Sequence, residues 1–357
     1  MEKNLISYLQ EIRTNYSDEK SVTIVMGNEA ADLDSMASAV SYAWYLHLLD
    51  PSGNPYPLIN IPRADFKLRT EAVYLFNEAG ISSDLLLFSD DVNLEKLYAD
   101  GNLNLILVDH NKLASGQEGM IDSIIAILDH HADEKSYPSG IPATIKPVGS
   151  AATIVSEAFF ENKREVINES LGTLLLGTIL LDTVNLDPGA GRVTDDDLRA
   201  AGEIIKITNL DSDGLFEKLQ FEKFNVSSLG SYDLLRKDYK EWQLGSVKCG
   251  IGSVLQSIED WIVKDPDITA AFESYMKERD LDVLLAMNAF TSPGFTRQIA
   301  VYIPDNKLRT NTIEFLENSD LGLEALNSSG DCAFYDQKNL GISRKKLQPM
   351  LKSFFEE

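Results

Sequence analysis

Residues 21–35 read SVTIVMGNEAADLDS. The first six, Ser21 to Met26, form an apolar, β-branched run without polar alternation. That is the pattern of a strand buried on both faces of a parallel sheet. Gly27 follows, and then Leu33, Met36, Ala37, Val40, Ala43 and Trp44 recur at helical spacing. A strand, a turn and a helix in that order predict a βα unit. Ligands of such sheets bind beyond the carboxyl ends of the strands, which is where Asp32 and Asp34 fall. The arrangement recurs twice downstream. LNLILV (103–108) runs into Asp109-His110-Asn111, and IIAIL (124–128) runs into Asp129-His130-His131. Of the four histidines in the chain, three lie in these motifs.

Carboxylates and imidazoles gathered at strand ends are the ingredients of a divalent-metal site. Taken alone, Asp32-x-Asp34 reads more readily as acids capping a helix, and Asp109 is no more specific. Asp129-His130-His131 carries more weight, because adjacent histidines behind a buried strand are costly without partners. The run SLGTLLLGTILLDT (170–183) is apolar almost all round and reads as a buried helix with Asp182 at its end. A carboxylate there is buried and unpaired unless a cation or a donor faces it; the plainer reading is a helix-end acid that reaches water. Together the motifs supply about five ligands, with Asp109 available to bridge. Paired metals held roughly 3.5–4 Å apart activate water and clamp an in-line phosphoryl displacement, so the set suits a phosphoanhydride or phosphoester substrate.

Composition narrows the field. At 357 residues the chain exceeds the usual limit for one core and predicts two domains. A net charge of −24 argues against non-specific nucleic-acid binding. Residues 1–204 hold 14 Lys and Arg against 32 Asp and Glu, whereas residues 205–357 hold 18 against 24, so the acidic half is the expected metal-holding half. No apolar stretch reaches the length of a membrane span, and the start, MEKNLISYLQEIRTNYSDEK, is too polar for a secretory signal. Cys249 and Cys332 are too few and too isolated for a disulfide framework, which fits a cytoplasmic protein. His47 reads as structural.

Along the chain, residues 22–182 alternate β-like and helix-like segments, with further βα units at 56–80 and 85–109 and a helix over 151–161 capped by Ser150. Thr194 reads as the cap of the next helix, with Asp195, Asp196 and Asp197 in its first turn. The segment TNLDSDG (208–214) is the linker candidate. Beyond it we read helix over 215–242, β-like runs at 246–254, 281–290 and 297–303, and a closing helix from about 343. The expected fold is α/β: an N-terminal domain with a largely parallel sheet flanked by helices, and a smaller C-terminal α/β domain closing over the cleft. The expected bounds are 1–207 for the metal-holding domain and 215–357 for the substrate-binding domain.

GNEAADLDS, VDHN, DHH and LLDT, in this order and at this spacing, resemble the DHH phosphoesterase superfamily. The chain is similar, more narrowly, to its eukaryotic exopolyphosphatase and prune branch, which is related to family II inorganic pyrophosphatases. Segments 61–76, 149–153, 221–242 and SRKK (343–346) carry the likeness over nearly the whole chain. The resemblance implies two divalent cations, Mg²⁺ or Mn²⁺. Asp32 is implied on one, Asp34 on the other, Asp109 bridging, and His130 and Asp182 on the second. It implies His131 against substrate phosphate and as an acid. It also implies Lys240 as a phosphate-binding lysine and Arg344 with Lys345 as a basic pair. His110 is expected to orient a ligand, with Asp129 in a similar supporting part. Asn28 stands where the pyrophosphatases place a metal-binding histidine, and an amide oxygen there favours a harder ion such as Mg²⁺.

Arg63, Arg69 and Arg297 are expected to line a polyanion channel, with surface ion pairs the competing reading. SRKK places cations at a helix start, where they oppose the dipole, and an anion to bind explains them better than solvent does. The implied activity is exopolyphosphatase: release of terminal orthophosphate from linear polyphosphate by metal-activated water. The alternatives are a short-chain polyphosphatase or nucleotide phosphodiesterase, an inorganic pyrophosphatase, or an acidic interaction protein on the same scaffold. Expected partners are polyphosphate alone, with no nucleic acid, no membrane and a monomer favoured.

Overall fold

The chain begins with a short amphipathic helix, α1 (Leu5–Asn15), whose buried face is Leu5, Tyr8, Leu9 and Ile12. The computed structural model describes residues 4–291, 294–328 and 331–356. Two compact units are formed, Met1–Lys223 and Phe224–Glu357.

In the first unit, β1 (Val22–Met26) is buried at every position and is followed by α2 (Leu33–Leu49), as the opening sequence demands. Then come β2 (Pro55–Ile59), α3 (Arg63–Phe66), α4 (Thr70–Glu78), β3 (Leu87–Phe88), α5 (Leu94–Ala99) and β4 (Leu103–Val108). The sheet is completed by β5 (Ile124–Asp129) and β6 (Ala143–Ile145). Its six strands run in the order β3-β2-β1-β4-β5-β6, and every pairing is parallel. The order reverses at β1, whose neighbours are β2 on one side and β4 on the other, and this reversal opens a crevice at the strand ends. Helices α6 (Ala151–Asn162), α7 (Glu169–Asp182), α8 (Asp195–Thr208) and α9 (Ser212–Phe224) follow. Ser150 caps α6 and Thr194 caps α8, both as expected. Helix α7 is buried from Leu171 to Leu181.

The segment 208–214 lies within the first compact unit, which runs to Lys223. Asn209 takes the left-handed conformation that ends α8, and α9 then sets Leu215 and Leu219 into the core of the first unit.

The second unit opens with α10 (Ser231–Lys237) and holds its own mixed sheet. Its strands are β7 (Tyr239–Leu244), β8 (Val247–Val254), β9 (Val283–Phe290), β10 (Thr296–Tyr302), β11 (Leu323–Ala325) and β12 (Cys332–Gln337). The order is β11-β12-β10-β9-β8-β7, and only β8 and β9 pair in parallel. Helices α11 (Ile258–Lys264), α12 (Ile268–Arg279) and α13 (Asn306–Glu317) intervene, and α14 (Arg344–Glu356) closes the unit. Helix was expected through residue 242, but 239–244 is an edge strand. Trp242 and Leu244, two apart, pack on the second core, which is the period of a strand. No helix among the described residues is long and apolar enough to cross a membrane.

Candidate metal centre

The crevice beyond β1, β4 and β5 holds a cavity of about 450 Å³ lined by Asp32, Asp34, Asp109, His130, His131 and Asp182, together with segments 147–149 and 191–194. Each acid arrives there for a local reason. Gly27 lets the end of β1 pass the first turn of α2: a Cβ there would lie 2.6 Å from the Ser35 Cβ and 2.7 Å from its carbonyl oxygen. Asp32 caps α2 by accepting from the Ser35 amide at 3.1 Å. Asp34, in the first turn, is 3 % exposed. Its carboxylate accepts from the amides of Ala151 (2.6 Å) and Ala152 (2.9 Å) at the start of α6 and from the Ser38 hydroxyl (2.9 Å). Two helix N-termini thus meet at one carboxylate, the geometry in which a helix favours negative charge.

Asp109 leaves β4 with φ 59°, a left-handed conformation that aspartate tolerates better than most residues. This turn sends its side chain back over the strand ends. One oxygen, Oδ2, accepts from the Ser35 hydroxyl (2.5 Å) and the Asn28 amide (2.9 Å). The other, Oδ1, faces His130 Nε2 at 3.1 Å and His131 Nδ1 at 3.7 Å. Ligand atoms of Asp109, His130 and His131 all lie within 4.8 Å of one another, close enough to share an ion. His130 donates from Nδ1 to the Val148 carbonyl at 3.0 Å, which fixes Nε2 toward Asp109 and, at 3.7 Å, Asp34. Asp182 ends α7, and after Thr183 the residues Val184, Asn185 and Leu186 all have φ between 54° and 60°. Backbone strain of this kind, with a β-branched residue included, collects at functional sites.

The acids of the cavity raise one another's affinity for protons. Burial, then the Asp109 charge, push the Asp34 carboxyl up to about 7. Burial and Asp109 raise Asp32 as well. Asp182 is pushed well above the usual carboxylate range by burial and by Asp34 and Asp32. Its Oδ2 is enclosed without a donor among the described residues. Burial pulls His130 down, but its bond to Asp109 and the charge of Asp34 outweigh that and lift it to about 10. Four carboxylates that repel one another, with one enclosed oxygen unsatisfied, fit a site whose charge is meant to be balanced by bound metal.

Residues 22–178 match the DHH family, N-terminal domain, and residues 217–354 match the DHHA2 domain. Exopolyphosphatase PRUNE1 of Mus musculus is 33% identical over 354 residues, covering 97% of this chain and 78% of that protein. The chain belongs to the DHH family, in its prune branch. A manganese-dependent inorganic pyrophosphatase of Methanothrix thermoacetophila is 25% identical over 267 residues, 74% of this chain and 79% of that protein. A crystal structure from Methanococcus jannaschii, assigned as a family II inorganic pyrophosphatase, aligns over 94% of this chain and 100% of its own with a TM-score of 0.50. At 23% identity that likeness speaks for the fold.

Within this DHH unit the remaining expected residues divide. Asp129, fully buried, accepts on Oδ1 from the His131 ring (2.8 Å) and from the amides of His130 and His131. Asn111 holds its other oxygen at 2.5 Å. His131, 56% exposed, is therefore turned by Asp129, and its Nε2 carries no partner among the described residues. His110 bonds to none of the expected ligands among the described residues. Its Nδ1 meets the Val108 carbonyl at 2.9 Å, its Nε2 is enclosed without a partner, and burial lowers its pKa. Asn28 turns its amide nitrogen to Asp109, while its oxygen accepts from the amides of Ala30 and Ala31. That oxygen is held by the turn, and the amide nitrogen steadies Asp109.

Arg63 lines no channel. It pairs with Asp91 at 2.6 Å, donates to the carbonyls of Ser83 and Leu86, and lies 4.4 Å over the Phe88 ring. Arg69 holds the carbonyls of Ala30 and Ala31, bracing the turn that carries Asp32. In the second unit, Arg344 pairs with Asp238 at 2.6 Å and reaches the Ile251 carbonyl at 3.4 Å, where Ile251 pairs with Lys240 across β7 and β8. Lys240 and Lys345 are exposed. Arg297 donates to the Leu340 carbonyl at 3.0 Å and stacks on Phe295, in place of the channel-lining position expected for it.

Sequence reasoning passed over Ser35, Asn111 and Asp197. From sequence Asp197 is only one of three acids in the first turn of the helix that Thr194 caps. Its buried carboxylate also accepts from the Gly149 amide (2.9 Å) and the Thr153 hydroxyl (2.6 Å), joining two walls of the cleft. Contacts of that kind span more than forty positions and leave no local signal.

Proposed function

We propose that this chain is a metal-dependent exopolyphosphatase, hydrolysing the terminal phosphoanhydride of linear inorganic polyphosphate to orthophosphate and a chain one unit shorter. The observation that carries the reading is the gathering of Asp32, Asp34, Asp109, Asp182 and His130 around one cavity, with an enclosed Asp182 oxygen that has no donor among the described residues. The name of the mouse relative supports the substrate class.

Asp32, Asp34, Asp109, His130 and Asp182 would hold two divalent cations, Mg²⁺ or Mn²⁺, which supply Lewis acidity toward water and the phosphoryl oxygens. Asp109 has one oxygen fixed by Ser35 and Asn28 and the other directed at the histidines, which suits a carboxylate shared between two ions. His131 provides the proton for the departing phosphate oxygen from Nε2, while Asp129 on Nδ1 sets the ring and stabilises its charged form. Lys240, Arg344 and Lys345 add phosphate contacts in the second unit. Arg344 is held in one orientation by Asp238, whereas the exposed lysines act as mobile point charges.

Asn28 separates this reading from that of an inorganic pyrophosphatase. A turn-bound amide replaces the imidazole that the pyrophosphatase pattern supplies, which removes a soft ligand and favours harder ions. The test is product analysis on long-chain polyphosphate with Mg²⁺ and with Mn²⁺. Orthophosphate should appear from the first turnover while chain length shortens one unit at a time. Mid-length fragments, or release from pyrophosphate alone, would contradict it.

A further inference from the structure

Among the described residues, Arg192 is the only Lys or Arg lining the metal cavity. It is also the only arginine of the first unit without an assigned partner among the described residues. Arg13 and Arg63 pair with Asp91, Arg69 holds two carbonyls, Arg164 pairs with Glu203, and Arg199 pairs with Glu157 and Asp196. An exposed arginine that lines a cavity of carboxylates, and pairs with none of them among the described residues, is available to a different anion.

Its backbone is fixed although its side chain is not. Gly191 takes φ 66° just before it. Two residues on, Thr194 donates from its amide (2.8 Å) and its hydroxyl (2.7 Å) to Asp197 Oδ2, the oxygen that also accepts from the Gly149 amide. The Arg192 carbonyl packs so closely on Gly149 that a Cβ there would lie 2.5 Å from it. The neighbouring Val148 carbonyl is the one that orients His130. One buried carboxylate thus ties the Arg192 loop to the segment that aims a metal-facing histidine. The loop is built to hold Arg192 at a set distance from the reacting centre.

We propose that Arg192 grips a non-reacting phosphate of the substrate, one position beyond the phosphoryl group under attack, through paired N–H bonds to its oxygens. The proposal rests on the polyphosphatase reading and assigns it a chain-holding contact within the metal-binding unit itself. A carboxylate cleft repels polyanions beyond the reach of its metals, and a fixed arginine at its rim offsets this for the next phosphate along.

The test compares wild type with Arg192→Ala and Arg192→Lys. On tripolyphosphate and longer chains, Arg192→Ala should raise KM roughly 10- to 100-fold with kcat little changed, and Arg192→Lys should recover part of that loss. Pyrophosphate, whose two phosphates occupy the same two positions, should lose as much. Calorimetry with Mn²⁺ alone should give equal affinity for all three proteins, since the side chain touches no ligand residue. Unchanged KM on long chains would overturn the proposal, as would weakened Mn²⁺ binding in Arg192→Ala, which would make the residue part of the metal site. Calorimetric binding of tripolyphosphate in Mn²⁺ separates this from the parent reading. If wild type releases no phosphate from any polyphosphate, that reading falls, yet tripolyphosphate binding lost on Arg192→Ala would still uphold the phosphate contact.

Discussion

Replacing Asp34 by Asn should stabilise the metal-free protein at alkaline pH, although Asp34 is a buried, well-bonded residue. Its carboxyl rises from 3.8 to about 7, first because it is buried and then because Asp109 is charged beside it. At about 1.4 kcal/mol per unit, keeping it ionised above pH 7 costs on the order of 4 kcal/mol. The amide removes that charge but accepts at one oxygen only, where the carboxylate served Ala151 and Ala152 on separate oxygens. One buried N–H is then left facing an NH₂, at a cost of about 1–3 kcal/mol. The net gain is about 1–3 kcal/mol at pH 8. The sign follows from the raised pKa: the folded state binds the extra proton between the unfolded and folded values. Wild type therefore loses stability as pH climbs toward 7, and the advantage of Asp34→Asn grows over that window and is absent below about pH 4. Urea unfolding in EDTA at pH 5 and pH 8 measures this directly. Saturating Mn²⁺ should reverse the order, because wild type gains more from bound metal than a variant short of a ligand. A variant less stable than wild type in EDTA at pH 8 would refute the argument that the cluster is held together against its own repulsion.

Arg63→Ala should lower stability by about 1–3 kcal/mol, through two orphaned carbonyls and the loss of one of the two arginines on Asp91, and should leave KM unchanged; a raised KM would return Arg63 to the substrate path. Gly149→Ala should cost about 1–3 kcal/mol and slow turnover, because a Cβ would press on the Arg192 carbonyl at 2.5 Å and Thr183 Cγ2 at 2.6 Å; wild-type melting and kinetics would show that the two loops yield freely. Asn28→His should shift the preferred ion from Mg²⁺ toward Mn²⁺ or Co²⁺. An unchanged activity ratio between the ions would mean that position 28 acts through Asp109 alone.

What the sequence disclosed, it disclosed through period and position. VTIVM, LNLILV and IIAIL declared buried strands, and acids and histidines directly behind them fell at the sheet's carboxyl ends as the topology requires. Asp182 was legible because an all-apolar helix gives its terminal carboxylate nowhere dry to pair. Charge alone misled. Arg63 and Arg69 read as channel residues because the carbonyls and the carboxylate folded against them lie up to 39 positions away. Residues 239–244 read as helix because edge-strand polarity diluted an alternation that only Trp242 and Leu244 carry. The partnership of Asp197 with Gly149, and the open position of Arg192, exist only once two loops meet.

Phosphate release from long-chain polyphosphate, measured on EDTA-stripped protein titrated with Mn²⁺, tests the central claim most directly, with wild type and Asp109→Asn side by side. Asn tolerates the left-handed conformation at 109 and can keep its bonds to Ser35 and Asn28, so the variant should fold. Wild type should be silent without metal and release orthophosphate as Mn²⁺ is added, while Asp109→Asn should fall by roughly 10²-fold or more at saturating Mn²⁺. Metal-independent release, or near-normal turnover in Asp109→Asn, would contradict the account.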